Sequence, residues 1–143
     1  MIQYFHLQEV ADRRAKVLSG GWQRKLSIAM ALITEPQIIF LDEPTLGLDV
    51  LARRELWEVI RRMKEKITII LTTHYMEEAE SLSDKVAVMV DGQIKAMGSV
   101  EELKEQTGAD NLEEAFVRIA QETSVRIAQE AFVCIAQEGG ARS

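Results

Sequence analysis

The sequence has one cysteine, Cys134, two histidines, His6 and His74, and two prolines, Pro36 and Pro44, among 143 residues. One cysteine forms no intrachain disulfide, and two histidines so far apart assemble no Cys/His zinc site, so any metal is expected on oxygen ligands. Long apolar runs are lacking too. The longest, such as Ile28–Ile33, fall far short of the roughly 18–20 residues that cross a bilayer. The opening MIQYFHLQEVADRR lacks the basic, apolar and small-residue order of a secretory signal, so a cytoplasmic protein is expected. What is present, 47% hydrophobic and 28% charged residues, suits one globular domain with one core.

Charge is uneven. Residues 1–66 carry 11 basic and 9 acidic side chains, and residues 67–143 carry 6 and 14, within a net charge of −6. A nucleic-acid surface needs a concentrated basic stripe. The best candidate, Arg53, Arg54, Arg61, Arg62, Lys64 and Lys66, is interleaved with Glu55, Glu58 and Glu65, which reads as a solvated helix face, so no nucleic-acid partner is expected.

Residues 1–17 suggest a short helix around Ile2, Phe5 and Leu7, then a polar connector. From Ser19, a plausible N-cap, Trp22, Leu26, Ala29/Met30 and Ile33 fall on one predicted helical face that ends at Pro36. QIIFLD and ITIILTT are apolar on consecutive residues, as in strands covered on both faces. Between them Ala52, Leu56, Val59/Ile60 and Met63 form a helical stripe, giving a right-handed strand–helix–strand crossover. A short acidic helix near Met76–Leu82 precedes KVAVMV-DG-QIKAM, an alternating pattern about Asp91-Gly92 that predicts a hairpin. Ser99 with Glu102 forms a capping box for a further helix. The class is α/β.

The tail reads EAFVRIAQ, ETSVRIAQ, EAFVCIAQ, an eight-residue unit too short for a solenoid repeat. On a helix its Val/Ile stripe drifts about 80° per copy. That pattern predicts a duplicated helix end whose later copies are loosely docked or frayed and unimportant for the core.

Asp42 and Glu43 leave a buried strand at its carboxyl end, where α/β sheets place ligands. They are either a solubilised strand end or a pair in which one holds Mg²⁺ and the other orients or deprotonates a water. Pro44-Thr45 and Leu46-Gly47-Leu48-Asp49 follow as a turn into the next helix. His74 ends the second strand, which the crossover makes a neighbour of the first, so it can face the acids or be a satisfied strand-end histidine. Ser19-Gly20-Gly21 opens a helix whose first amides favour an anion such as phosphate, although such a turn is by itself a weak signal.

Taken in order, Leu18-Ser19-Gly20-Gly21, then IIFLDEP, Gly47-Leu48-Asp49 and His74 resemble the ATP-binding-cassette ATPases. The resemblance spans roughly residues 1–108, with residues 109–143 as a helical tail. It implies a partial P-loop NTPase fold with a mostly parallel sheet, an edge hairpin and C-terminal helices. LSGG looks like the family signature, Ile38–Asp42 like the Walker B strand, Thr45–Asp49 like the D-loop and His74 like the switch histidine. By this resemblance two cassettes pair head to tail around ATP and Mg²⁺. Asp42 would hold the Mg²⁺ shell, Glu43 the attacking water and His74 the γ-phosphate. Ser19, Gly20 and Gly21 would reach the γ-phosphate held by the partner, and Asp49 would link the two sites. GSVEELKEQTG and NLEEAFVRIA are similar to cassette subunits of ABC-2 type exporters, which implies a transmembrane permease partner and a peripheral place on the inner face of the cell membrane. Trp22 stands where the family most often has glutamine, with Gln23 one place later.

No G-x-x-x-x-G-K-[ST] loop occurs in the sequence. Without its amides and lysine the acids lack an anchored nucleotide. The chain therefore looks like the C-terminal part of a cassette, and a sheet lacking the family's first strands is expected to expose an apolar edge. Two functional readings remain open: an ATP-binding subunit of an exporter, or a non-hydrolysing module that lends Ser19–Gly21 to an intact cassette. A soluble cassette ATPase of DNA repair or translation fits less well with the acidic second half.

Overall fold

Local signals in the sequence set most element boundaries in the computed structural model, which describes residues 3, 5–121 and 131–136. The elements are α1 (Gly20–Leu32), β1 (Ile38–Asp42), α2 (Val50–Lys64), β2 (Thr68–Thr73), α3 (Met76–Leu82), β3 (Lys85–Val90), β4 (Gln93–Gly98), α4 (Val100–Thr107), α5 (Leu112–Gln121) and β5 (Ala131–Ala136). Asp49 caps α2, its Oδ1 accepting the Ala52 amide at 2.9 Å. At α4 the Ser99 hydroxyl accepts the Glu102 amide at 3.1 Å and the Glu102 carboxylate accepts the Ser99 amide at 2.7 Å, the reciprocal box expected. Asp91 and Gly92, with φ of 50° and 74°, form the tight turn between β3 and β4. The N-terminal segment forms 3₁₀ turns at Leu7–Val10 and Ala15–Val17 in place of the predicted helix. Phe5 is nonetheless fully buried, and Ile2 lies outside the described residues.

The five strands among the described residues form one sheet in the order β1-β2-β5-β3-β4. β1 and β2 pair in parallel through the α2 crossover. β5 is antiparallel to both β2 and β3, so β3 runs in the same direction as β1 and β2, and β4 closes the edge hairpin. The core lies between the sheet and its helices, around Ile39, Leu41, Ile69, Leu71, Val86 and Val88.

Three expectations need correction. First, β1 and β2 are covered on one face and not on both. Ile39 and Leu41 are buried, whereas Ile38 and Phe40 are 52% and 74% exposed, and β2 alternates buried with half-buried positions. Second, the buried face of α1 is Lys25, Ile28, Ala29 and Leu32. Met30 and Ile33 are exposed, and Trp22 and Leu26 pack only partly. Lys25 takes a buried position because its ammonium reaches Glu55 at 2.6 Å and lies over the Trp22 ring at 4.6 Å, which lets a cation shed water near the core.

Third, the repeat is not helical throughout. The first copy lies in α5, where Ala115, Phe116, Ile119 and Ala120 are buried. The second, residues 122–129, lies outside the described residues together with Val125 and Ile127. The third contributes β5, the middle strand of the sheet, because a segment there is paired by backbone hydrogen bonds on both sides, which a helix docked on the surface would not be.

The α2 stripe matches its pattern, with Leu56, Val59, Ile60 and Met63 buried. Trp57 joins them by donating its indole N–H to Glu78 Oε1 at 3.0 Å. Glu78 is fully buried and its Oε2 has no hydrogen-bond partner. Trp57→Phe strips the remaining partner from this carboxyl and should cost about 1–3 kcal/mol. Adding Glu78→Met should restore much of the loss, because an apolar pair leaves no buried polar group unpaired. Denaturant unfolding of the three proteins checks this, and a double variant no more stable than Trp57→Phe would count against it.

Candidate nucleotide site

In the parallel register of β1 and β2, Asp42 stands beside Thr72, so the next residues of each strand leave the sheet side by side. The Thr72 hydroxyl donates to Asp42 Oδ1. The Glu43 amide donates to the Thr72 carbonyl at 3.0 Å and meets the Thr72 hydroxyl oxygen at 3.2 Å. Glu43 adopts φ of 42°, a left-handed conformation that costs a non-glycine residue on the order of 1–3 kcal/mol. Its amide bonds and the turn closed by the Leu46 amide on the Glu43 carbonyl at 3.1 Å hold it there. His74 Nδ1 lies 3.2 Å from Glu43 Oε1, with both side chains about two-fifths exposed. His74 also packs at a tilt against Tyr75, ring centroids 4.3 Å apart, and the Arg53 guanidinium lies over the Tyr75 ring, 4.6 Å from its centroid. Asp42, Glu43 and His74 are thus brought together, with solvent access for a ligand.

The glycine turn belongs to a second cluster. Ser19 occupies the N-cap position of α1 in an extended conformation, but its side chain makes no capping hydrogen bond. The Gln23 side chain instead binds the Leu18 and Ala15 carbonyls, and the Gln23 amide donates to the Ser19 carbonyl at 2.9 Å. A Cβ on Gly21 would meet the Ala52 Cβ at 3.1 Å, and one on Gly20 would meet Leu48 at 3.7 Å. Gly21 therefore permits close approach of α1 to α2, a packing role that its sequence reading as a ligand-facing glycine did not contain. Gly20, Gln23 and Arg24 line an open cleft with Leu46, Gly47 and Leu48. Gly47, at φ of 77°, makes the turn that brings the D-loop-like segment against the signature-like one. Asp49 ends this turn as the α2 cap.

No G-x-x-x-x-G-K-[ST] loop to cradle a nucleotide's phosphates occurs in the 143 residues. The oxygen ligand at Asp42, exposed at a strand end beside a hydroxyl, fits Mg²⁺, which takes one or two carboxylates and completes its shell with water and phosphate oxygens.

Comparison with known proteins finds ATP-binding cassettes of ABC transporters. The family model described as ABC transporter matches residues 1–46. ABC transporter A family member 8 of Arabidopsis thaliana is 46% identical over 99 residues, 69% of this chain and 11% of that protein. The phospholipid-transporting ATPase ABCA3 of Homo sapiens is 43% identical over 109 residues, 76% of this chain and 6% of that protein. A solved ATP-binding subunit of an ABC transporter superposes with a TM-score of 0.69 at 31% identity, covering 82% of this chain and 50% of the subunit. The matched stretch is part of an ABC transporter ATP-binding domain. A second solved cassette, MJ1267, gives a TM-score of 0.70 at 30% identity over 82% of this chain and 46% of its own. The chain thus spans about half the length of solved cassettes and about a tenth or less of the curated relatives. Its fold is a partial P-loop NTPase domain of the ABC ATPase type.

Thr72 was absent from the sequence reading as a site residue, although Thr72-Thr73 directly precedes His74. It ties both acids to β2 through one hydroxyl. Thr72→Val keeps the shape but removes the donor and acceptor, and should lower stability by about 1 kcal/mol and displace the Glu43 amide resonance. Thr72→Ser should restore both. An unmoved Glu43 resonance in Thr72→Val would show that the hydroxyl does not position the turn.

Proposed function

We propose that this chain provides the hydrolysis and signature elements of an ATP-binding cassette whose ATP turnover drives export through a transmembrane permease subunit, from a peripheral place on the cytoplasmic face of the membrane. The observation that carries the reading is the contact of Glu43 with His74 beside Asp42 at the end of the parallel β1–β2 pair. Bound Mg²⁺ and ATP would supply the electrophilic phosphorus and its charge neutralisation. Asp42 would hold the Mg²⁺ shell, with the Thr72 hydroxyl fixing its carboxylate. Glu43 accepts a hydrogen bond from the attacking water, and its strained turn aims the carboxylate. His74 orients Glu43 through one ring nitrogen and leaves the other for a γ-phosphate oxygen. Ser19, Gly20 and Gly21 serve a nucleotide held by a second cassette, in keeping with their separate cluster and with the Ser19 side chain uncommitted to capping. Asp49, at the turn shared by both clusters, links them.

Because the curated relatives extend far beyond the matched stretch, a permease on the same polypeptide is the arrangement to test beside a separate subunit. A second reading, favoured by the Ser19 side chain that makes no capping hydrogen bond, is a non-hydrolysing module that supplies Ser19–Gly21 in trans to an intact cassette.

The 143-residue protein alone should hydrolyse no ATP above background with Mg-ATP in excess. Turnover abolished by Glu43→Gln would contradict this. Joined to a cassette segment that carries the phosphate loop, the chain should hydrolyse ATP, and Glu43→Gln and His74→Ala should each slow hydrolysis by about 100-fold or more with nucleotide binding retained. Near-normal turnover in either variant would remove that residue from the catalytic set. Stimulation of an intact cassette by the added chain, lost in Ser19→Ala, would select the second reading.

A further inference from the structure

His74 meets Glu43 at 3.2 Å, but both side chains are exposed. A single contact between exposed polar groups competes with water and constrains a side chain little. The imidazole can therefore swing about its χ angles unless something packs on its face. Tyr75 does so, with ring centroids 4.3 Å apart and planes inclined at 37°.

Tyr75 is held through both its backbone and its ring. Its amide donates to the hydroxyl of buried Thr73 at 3.0 Å, and its carbonyl accepts the Glu78 and Ala79 amides at 3.1 and 3.2 Å as α3 begins. Over the ring lies the Arg53 guanidinium, 4.6 Å from the centroid, where the negative face of the aromatic system attracts a cation. Arg53 belongs to the first turn of α2, its amide bonded to the Asp49 carbonyl at 2.9 Å. Its Nε is buried and has no hydrogen-bond partner among the described residues, so no hydrogen bond at Nε sets the guanidinium plane. One turn further along both helices, Trp57 donates to Glu78 at 3.0 Å. Trp57 is four residues after Arg53, and Glu78 is three after Tyr75, so the two pairs are successive rungs on the same helix faces. The buried rung keeps the outer one in line.

We propose that Tyr75 and Arg53 are positioning residues for His74. The Tyr75 ring sets the plane of the imidazole so that Nδ1 meets Glu43, and Arg53 holds that ring in place. Neither residue touches the reacting atoms. The kinetic consequence rests on the role in hydrolysis proposed above for His74, whereas the orientation of the ring does not.

In the 143-residue protein, proton–carbon NMR resolves the two histidine rings, and His74→Ala assigns them by loss of one set. The His74 ring protons should show cross-relaxation to the ring of residue 75 and shifts displaced from those of free histidine by its ring current. Tyr75→Phe should retain both signatures. Tyr75→Leu should return the His74 shifts to free-histidine positions, and Arg53→Met should move them in the same direction, with the His6 signals and the β3–β4 amide resonances unchanged. If Tyr75→Leu disturbs those amides, Arg53→Met carries the test, since it leaves the Tyr75 ring and α3 intact. In a cassette completed with a phosphate-loop segment, Tyr75→Leu and Arg53→Met should each lower kcat about 10- to 100-fold with KM for ATP little changed, and Tyr75→Phe should turn over normally. Neither substitution should lower kcat further in a His74→Ala background, because both act through that ring. Losses that add to that of His74→Ala would overturn the proposal, as would His74 resonances that stay put in Arg53→Met and Tyr75→Leu. Normal turnover in His74→Ala would instead overturn the hydrolytic role of His74, and the resonances alone would then decide whether Tyr75 and Arg53 orient the ring.

Discussion

The parallel register of β1 against β2 is the constraint on which the site rests. Pairing Asp42 with Thr72 decides that Glu43 emerges next to His74, 31 residues away in sequence. A slip of one residue would turn both acids and the histidine to opposite faces, because side chains alternate along a strand. The α2 crossover maintains the register from one end: Asp49 starts the helix, and its buried stripe from Leu56 to Met63 fixes it against the sheet. Thr72 maintains it from the other end, since its hydroxyl and carbonyl serve the two acidic residues in succession. The unfavourable φ of Glu43 persists because these contacts hold the turn from both sides.

The elements most legible in the sequence are those whose cause is local. The Asp91-Gly92 hairpin, the Ser99–Glu102 box and the α2 stripe each depend on residues within a few positions of one another, and each is found where its pattern lies. The juxtaposition of Asp42, Glu43 and His74 was legible at one remove, through the rule that strands joined by a crossover are neighbours. Elements whose environment is set from far away were misread. Consecutive apolar residues in β1 imply two covered faces, yet Phe40 is exposed. Lys25 looks polar in the sequence and takes a core-facing position only because Glu55, thirty residues on, accepts its charge. Gly21 reads as part of a ligand turn, while its contact with Ala52 is visible only once α1 and α2 are packed.

The repeated octad shows the same division within one sequence. Seven of its eight residues are shared by α5 and by the segment that contains β5, so intrinsic propensity cannot separate the two outcomes. α5 is stabilised by Arg118 and by a buried stripe of Ala115, Phe116, Ile119 and Ala120. β5 is stabilised by backbone pairing to two strands that would otherwise each present an open edge. An unpaired interior edge is more costly than the loss of one helical turn, since each buried amide and carbonyl left without a partner costs on the order of 1–3 kcal/mol. Tertiary demand therefore overrides the helical reading of the third copy.

Filling that interior edge bears directly on how the chain could work in a cassette. β5 is antiparallel to β2 on one side and β3 on the other, although β2 and β3 themselves run in the same direction. A strand that continued the parallel sense of β1, β2 and β3 would need the same backbone groups. Occupancy by β5 and occupancy by such a strand are therefore mutually exclusive. Thr72 lies in β2 and His74 follows directly after it, so whichever strand fills the slot pairs with the strand that carries Thr72 and leads into the histidine that contacts Glu43. The sheet's middle position and the candidate site are in this way coupled through β2, and any partner supplying a replacement strand must first displace the third octad.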